Sequence, residues 1–134
     1  MISMAAPIDR STRRLLAAFR YAFAGIGYLA RTQRNFQIHL IIGSIAIALG
    51  VVLRITRVEW MILSLTIGMV LAAEGFNSAI EAVVDLATRE RHPLAQIAKD
   101  VAAGTVLICA CIAVVIGIFM FGPRLWMLWL ILTV

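Results

Sequence analysis

The stretch Glu74–Leu86, "EGFNSAIEAVVDL", sets Glu74, Asn77, Glu81 and Asp85 inside a long apolar run. A charged side chain in hydrocarbon costs roughly 2.5–3.5 kcal/mol on insertion scales. Scattered acids would oppose membrane insertion, but these acids are not scattered. Their spacings of 3, 4 and 4 residues put them on one face of a helix turning about 100° per residue. The stripe so formed runs over about 16 Å of helix axis. Aligned carboxylates can line a wet or cation-filled site at a membrane boundary. Asn77 and Ser78 by themselves could equally serve as hydrogen-bonding glue between helices.

The surrounding chain explains why the run is apolar. Of its 134 residues 63% are hydrophobic and 14% charged, and the mean hydropathy is +0.99. Those values exclude an ordinary soluble domain. Apolar runs at about 36–53, 60–84 and 97–122 each reach the roughly 20 residues needed to span a bilayer as a helix. Ahead of them, residues 13–31 read as an amphipathic helix. Leu15, Leu16, Phe19, Ala22, Phe23, Ile26, Leu29 and Ala30 share an arc of about 140°. Arg13, Arg20 and Arg31 cluster at one edge of it and Arg14 lies beyond the other. This pattern suits a helix lying in the membrane interface, its guanidiniums near lipid phosphates; packing against the bundle is the other use of such a face. The expected fold is therefore an all-α membrane protein, a surface helix followed by three transmembrane helices in a single domain at 13–122. Residues 1–12 read as loose. Residues 123–134 read as an apolar C-terminal tail, too short to cross, with Trp126 and Trp129 at headgroup level.

A net charge of +5 could suggest nucleic acid, but the basic residues sort by membrane side instead. Arg10, Arg13, Arg14, Arg20, Arg31 and Arg34 precede the first span, and Arg89, Arg91 and Lys99 flank the connection between the second and third. Arg54, Arg57 and Arg124 fall at the other end. By the positive-inside rule the N-terminus and the 85–100 connection face the cytoplasm. No apolar core of a cleaved signal peptide appears in the first residues. Cys109 and Cys111 would lie about 200° apart on a helix, which rules out a mutual disulfide.

Acids grouped at the cytoplasmic mouth suit a hard cation such as Mg²⁺, which takes oxygen ligands and commonly shares them with phosphates. Lys99, at the start of the third span, is a point charge suited to phosphate. Acid, amide and lysine together suggest phosphoryl transfer at a membrane surface. The chain lacks a G-x-x-x-x-G-K-[ST] loop, and Gly25-x-Gly27 lacks a third glycine, so a P-loop mechanism is excluded.

Three motifs, "RTQRNFQIH" at 31–39, "EGFNSAIEAVVDL" at 74–86 and "HPLAQIAKDVAAG" at 92–104, together resemble the prokaryotic diacylglycerol kinases. The resemblance is stronger to the Gram-positive undecaprenol kinases within that group of small membrane lipid kinases, and it covers about residues 13–123. It implies a homotrimer with active sites shared between protomers in the bacterial cytoplasmic membrane. It also implies ATP as co-substrate, Mg²⁺, and a lipid alcohol as acceptor, with undecaprenol ahead of diacylglycerol. Carried over, Glu74 would take the proton of the lipid hydroxyl, and Asn77 would orient its neighbours. Glu81 would ligate the metal, and Lys99 would neutralise the transferring phosphate. Asp85, Glu90, Arg91, His92 and Asp100 would surround the nucleotide, and Arg14 and Tyr21 would flank ATP or the headgroup. The family usually carries glutamate where this chain has Gln33, which keeps an oxygen for the metal but loses a charge. His39, within the first motif, reads as a packing or hydrogen-bonding group.

Two other functions use the same residues. A proton- or cation-coupled transporter would use the acidic stripe, although transporter sites usually lie at the midplane. A scaffold weakened in catalysis by Gln33 would bind nucleotide without turnover.

Overall fold

The computed structural model describes residues 9–88 and 90–133. The looseness expected of residues 1–8 and the charge placed at Arg89 lie outside the described residues. Four helices follow one another: α1 (Arg10–Thr32), α2 (Arg34–Val52), α3 (Arg57–Ala87) and α4 (Pro93–Thr133). The last three are long and apolar enough to cross a membrane. α3 packs most extensively on α4 and next on α2, while α1 rests on α2. No residue of α1 is buried, as befits a helix lying over the bundle rather than within it.

α1 begins earlier than its amphipathic pattern suggests. Residues 10–12 are helical, not loose, because the Asp9 carboxylate accepts the backbone N–H of Ser11 and caps the first turn. A single residue, Gln33, separates α1 from α2, with extended backbone at φ −97° and ψ 108°. The Gln37 amide donates across this corner to the Ala30 carbonyl at 3.1 Å, so the angle between the helices is held by side chain as well as by chain.

The corner between α2 and α3 closes as a Schellman motif. Ile55 N–H donates to Gly50 O at 3.1 Å and Arg54 N–H to Val51 O at 3.2 Å. Arg54 takes the left-handed conformation, φ 49°, that glycine would adopt without strain. Thr56 and Glu59 then form a reciprocal capping box at the start of α3. A Cβ on Gly50 would lie 3.0 Å from Ile55 and from Trp60, so a larger residue there would push these side chains outward from α2. Ile55, Leu63, Met120 and Phe121 form the apolar core, flanked by Trp60, Leu49 and Ile116. It lies toward this end of the bundle.

The C-terminal tail is not a separate appendage. α4 continues through Gly122 and Pro123 to Thr133 as one helix of 41 residues, about 61 Å long. Proline removes one backbone donor, but in apolar surroundings the remaining carbonyls and N–H groups have no partner outside the helix, which favours its continuation. Arg124 reinforces the join. Its guanidinium donates to Met120 O at 2.8 Å and grips both oxygens of Glu59 at 2.7 and 2.9 Å.

Candidate active site

The polar stripe on α3 exists as the spacing predicts, and its upper part is deeply buried. Glu74 is 2% exposed, Asn77 6% and Ser78 9%. The Asn77 amide donates to Glu81 Oε1 at 2.9 Å, which fixes the amide orientation. Glu74 Oε2, Asn77 Oδ1 and Ser78 Oγ are buried without a hydrogen-bond partner among the described residues. Leaving such groups unsatisfied costs about 1–3 kcal/mol each, and no group among the described residues of this chain offsets it. Nearby, Gly75 lies under Leu29 of α1, where an added Cβ would come within 3.4 Å of the leucine methyl. α1 thus forms a light roof over this part of α3.

A second cluster lies further along. Asp85, Glu90, Arg91, His92 and Lys99 line one cleft of about 790 Å³ between the end of α3 and the start of α4. Lys99 Nζ lies 2.5 Å from Asp85 Oδ1. The connecting loop is braced from within. Glu90 N–H donates to Thr88 Oγ1, and Leu94 N–H donates to His92 Nδ1, which caps α4 directly before Pro93. Asp100 accepts from Gln96 at 2.7 Å. These local braces are sequence-near, and a Thr or His two residues before the N–H it accepts is the signal that could have revealed them.

None of the remaining expected residues lines the Asp85–Lys99 cleft, and His39 is near enough to Glu74 to act on it electrostatically. Arg14 and Tyr21 are exposed on α1, where Arg20 stacks over the Tyr21 ring at 5.3 Å. Gln33 occupies the α1–α2 corner, half-buried. His39 lines an apolar cavity of about 310 Å³ between α2, α3 and α4, together with Thr66 and Val70. Within one chain Glu74 lies about 16 Å along α3 from Asp85 and the Lys99 cleft.

Among the described residues no group of three His, Cys, Asp or Glu side chains could by itself hold a metal ion. Mg²⁺ does not need one, since one or two carboxylates plus substrate phosphates suffice. Glu81 fits that requirement. It is half-buried, and Asn77 occupies only Oε1. An integral membrane helix bundle, a buried acid and a basic-acidic cleft on the same helix narrow the field.

The model of the family described as prokaryotic diacylglycerol kinase matches residues 20–121. The chain belongs to that family. It is 43% identical over 112 residues to the undecaprenol kinase of Bacillus subtilis, covering 84% of this chain and 91% of that one. It is 45% identical over 104 residues to a diacylglycerol kinase of Synechocystis, covering 77% of this chain but 59% of that relative. The diacylglycerol kinase of Escherichia coli K12 is 29% identical over 102 residues, 76% of this chain and 84% of that one. The match to the prokaryotic diacylglycerol kinase family ends at Phe121, so the helical extension beyond Pro123 lies outside the part shared with it.

Proposed function

We propose that this chain, a lipid kinase by family, transfers the γ-phosphate of ATP to the hydroxyl of a lipid alcohol, undecaprenol before diacylglycerol. The observation that carries the proposal is Glu74, a carboxylate 2% exposed with Oε2 unpartnered, on the same stripe as Glu81 and Asp85. The likeness to an undecaprenol kinase over 91% of that protein favours the longer lipid.

In this reading Glu74 takes the proton of the lipid hydroxyl as its oxygen bonds to the γ-phosphorus. The bond from that phosphorus to the bridging oxygen breaks, and ADP leaves with the electron pair. Asn77 holds Glu81 by its amide and so orients the carboxylate that, with the Gln33 carbonyl, would hold Mg²⁺. The ion, when bound with ATP, would neutralise phosphate charge. Lys99 supplies a further positive charge to the phosphates, released from Asp85 on nucleotide binding. Glu90, Arg91 and His92 wall the nucleotide, with Asp100 behind Lys99, and Arg14 and Tyr21 border ATP or the headgroup from α1. Positioning the reactants in line accounts for much of the acceleration.

The separation of Glu74 from the Lys99 cleft along α3 supports a site completed by a neighbouring copy, in keeping with the homotrimer that the family resemblance implies. The six arginines Arg10, Arg13, Arg14, Arg20, Arg31 and Arg34 on or beside α1 support a cytoplasmic N-terminus in the bacterial inner membrane. Purified protein in vesicles, given Mg-ATP and one lipid at a time, tests the assignment. Undecaprenyl phosphate should form faster than phosphatidic acid. A preference for diacylglycerol would reverse the substrate order, and no lipid phosphate from either would refute the activity.

A further inference from the structure

Five helical hydroxyls of this protein bond their own backbone where Ser78 does not, and Ser64, which also lacks such a bond, is exposed. Thr32, Ser44, Thr66, Thr105 and Thr133 each donate to the carbonyl four residues earlier, at 2.7–3.0 Å. That bond satisfies a hydroxyl within its own helix, which matters most in apolar surroundings. Ser78 is 9% exposed, and its Oγ has no partner among the described residues. Its hydroxyl is therefore withheld from its own backbone while water is kept from it.

The neighbours indicate what it waits for. Ser78 is four residues from Glu74 and shares its face of α3. Glu74 Oε2 is an acceptor without a donor, as is Asn77 Oδ1, whose amide nitrogen is committed to Glu81. Ser78 is the donor in this trio that has no partner at all. A group that completes the turn must bring a proton for the carboxylate and a lone pair for the serine. An alcohol brings both on one atom. A bare cation would satisfy the acceptors but leave the serine donor idle.

We propose that Ser78 is a further catalytic residue: its hydroxyl donates to the oxygen of the acceptor alcohol, while that alcohol's own proton points to Glu74. The serine bond occupies one lone pair and fixes the rotation of the hydroxyl, so the other lone pair faces the phosphoryl group. This inference rests on the lipid-kinase reading and on Glu74 as the base.

The test is steady-state kinetics of Ser78→Ala, Ser78→Thr and Glu74→Gln in vesicles with undecaprenol and Mg-ATP, with thermal midpoints recorded for each. Removing one hydrogen bond to substrate should lower kcat/KM for the lipid about five- to tenfold and leave KM for ATP unchanged. Ser78→Thr, which keeps the hydroxyl, should recover most of the loss. A Ser78→Ala enzyme with wild-type kcat/KM for the lipid overturns the inference. So does an equal loss toward ATP and lipid accompanied by a lower thermal midpoint, since that is the mark of packing alone. Glu74→Gln separates the two ideas: if it turns over normally, the base assignment fails. A lipid-specific loss in Ser78→Ala would then still place the serine on the alcohol.

Discussion

Lys99 and Asp85 form an ion pair, Nζ to Oδ1 at 2.5 Å, that joins the start of α4 to the end of α3 inside the cleft between them. The two side chains are 34% and 67% exposed, so the pair is screened and adds little to stability, of the order of 0–1 kcal/mol. In the proposed reading its consequence is for nucleotide binding. A phosphate that recruits Lys99 must compete with Asp85.

Asp85→Asn should therefore lower KM for ATP by up to about fivefold without changing the thermal midpoint. Lys99→Met should lower kcat/KM for ATP at least about hundredfold, since charge facing a transferring phosphate is worth several kcal/mol. Initial rates across ATP concentrations measure both. A raised KM in Asp85→Asn would show that the aspartate holds the lysine in its working position instead.

Gln33 offers a second measurement. Gln33→Glu adds a charge at the corner where the family usually has one. The Mg²⁺ concentration for half-maximal rate should fall about tenfold, as expected when a second carboxylate joins the metal's ligands. An unchanged Mg²⁺ dependence would remove position 33 from the metal.

At the far end of the bundle, Glu59 and Arg124 should behave as one unit. Their fork of two hydrogen bonds ties α3 to the continuation of α4 beyond Pro123. Glu59→Gln and Arg124→Gln should each lower the thermal midpoint, and the double substitution should lower it no further than the worse single one. Turnover should be unaffected in all three. Additive losses would mean that the partners act separately.

Arg54 provides a stability gain. It holds a left-handed conformation that costs a side-chain-bearing residue roughly 1 kcal/mol. Arg54→Gly should therefore stabilise the protein by up to about 0.5 kcal/mol, the relief of strain being partly offset by glycine's greater freedom when unfolded. Chemical denaturation in detergent measures it, and a loss of stability would show that the arginine side chain contributes more than its backbone costs.

The polar stripe was legible because helical spacing alone decides which residues share a face. Three spans were legible because length and hydropathy suffice. The capping box at Thr56 and Glu59 was written in the sequence too, as T-x-x-E ahead of an apolar run. Residues 123–134 read as a separate tail, since a proline inside a helix removes a backbone donor. Here the lack of alternative partners for the backbone carries α4 onward to Thr133. The pairs Lys99–Asp85 and Glu59–Arg124 join residues 14 and 65 apart. No local rule foretells them, because they depend on how α3 and α4 pack. The isolation of Ser78 was equally hidden, since a serine on a helix ordinarily bonds its own turn.

The most direct test is lipid phosphorylation by Glu74→Gln beside the unaltered protein, both in vesicles containing undecaprenol and Mg-ATP. The buried carboxylate, if it is the base, should make the substitution lower kcat about a hundredfold or more, with folding preserved by the near-identical shape of glutamine. Undecaprenyl phosphate formed at the same rate by both proteins would contradict the account.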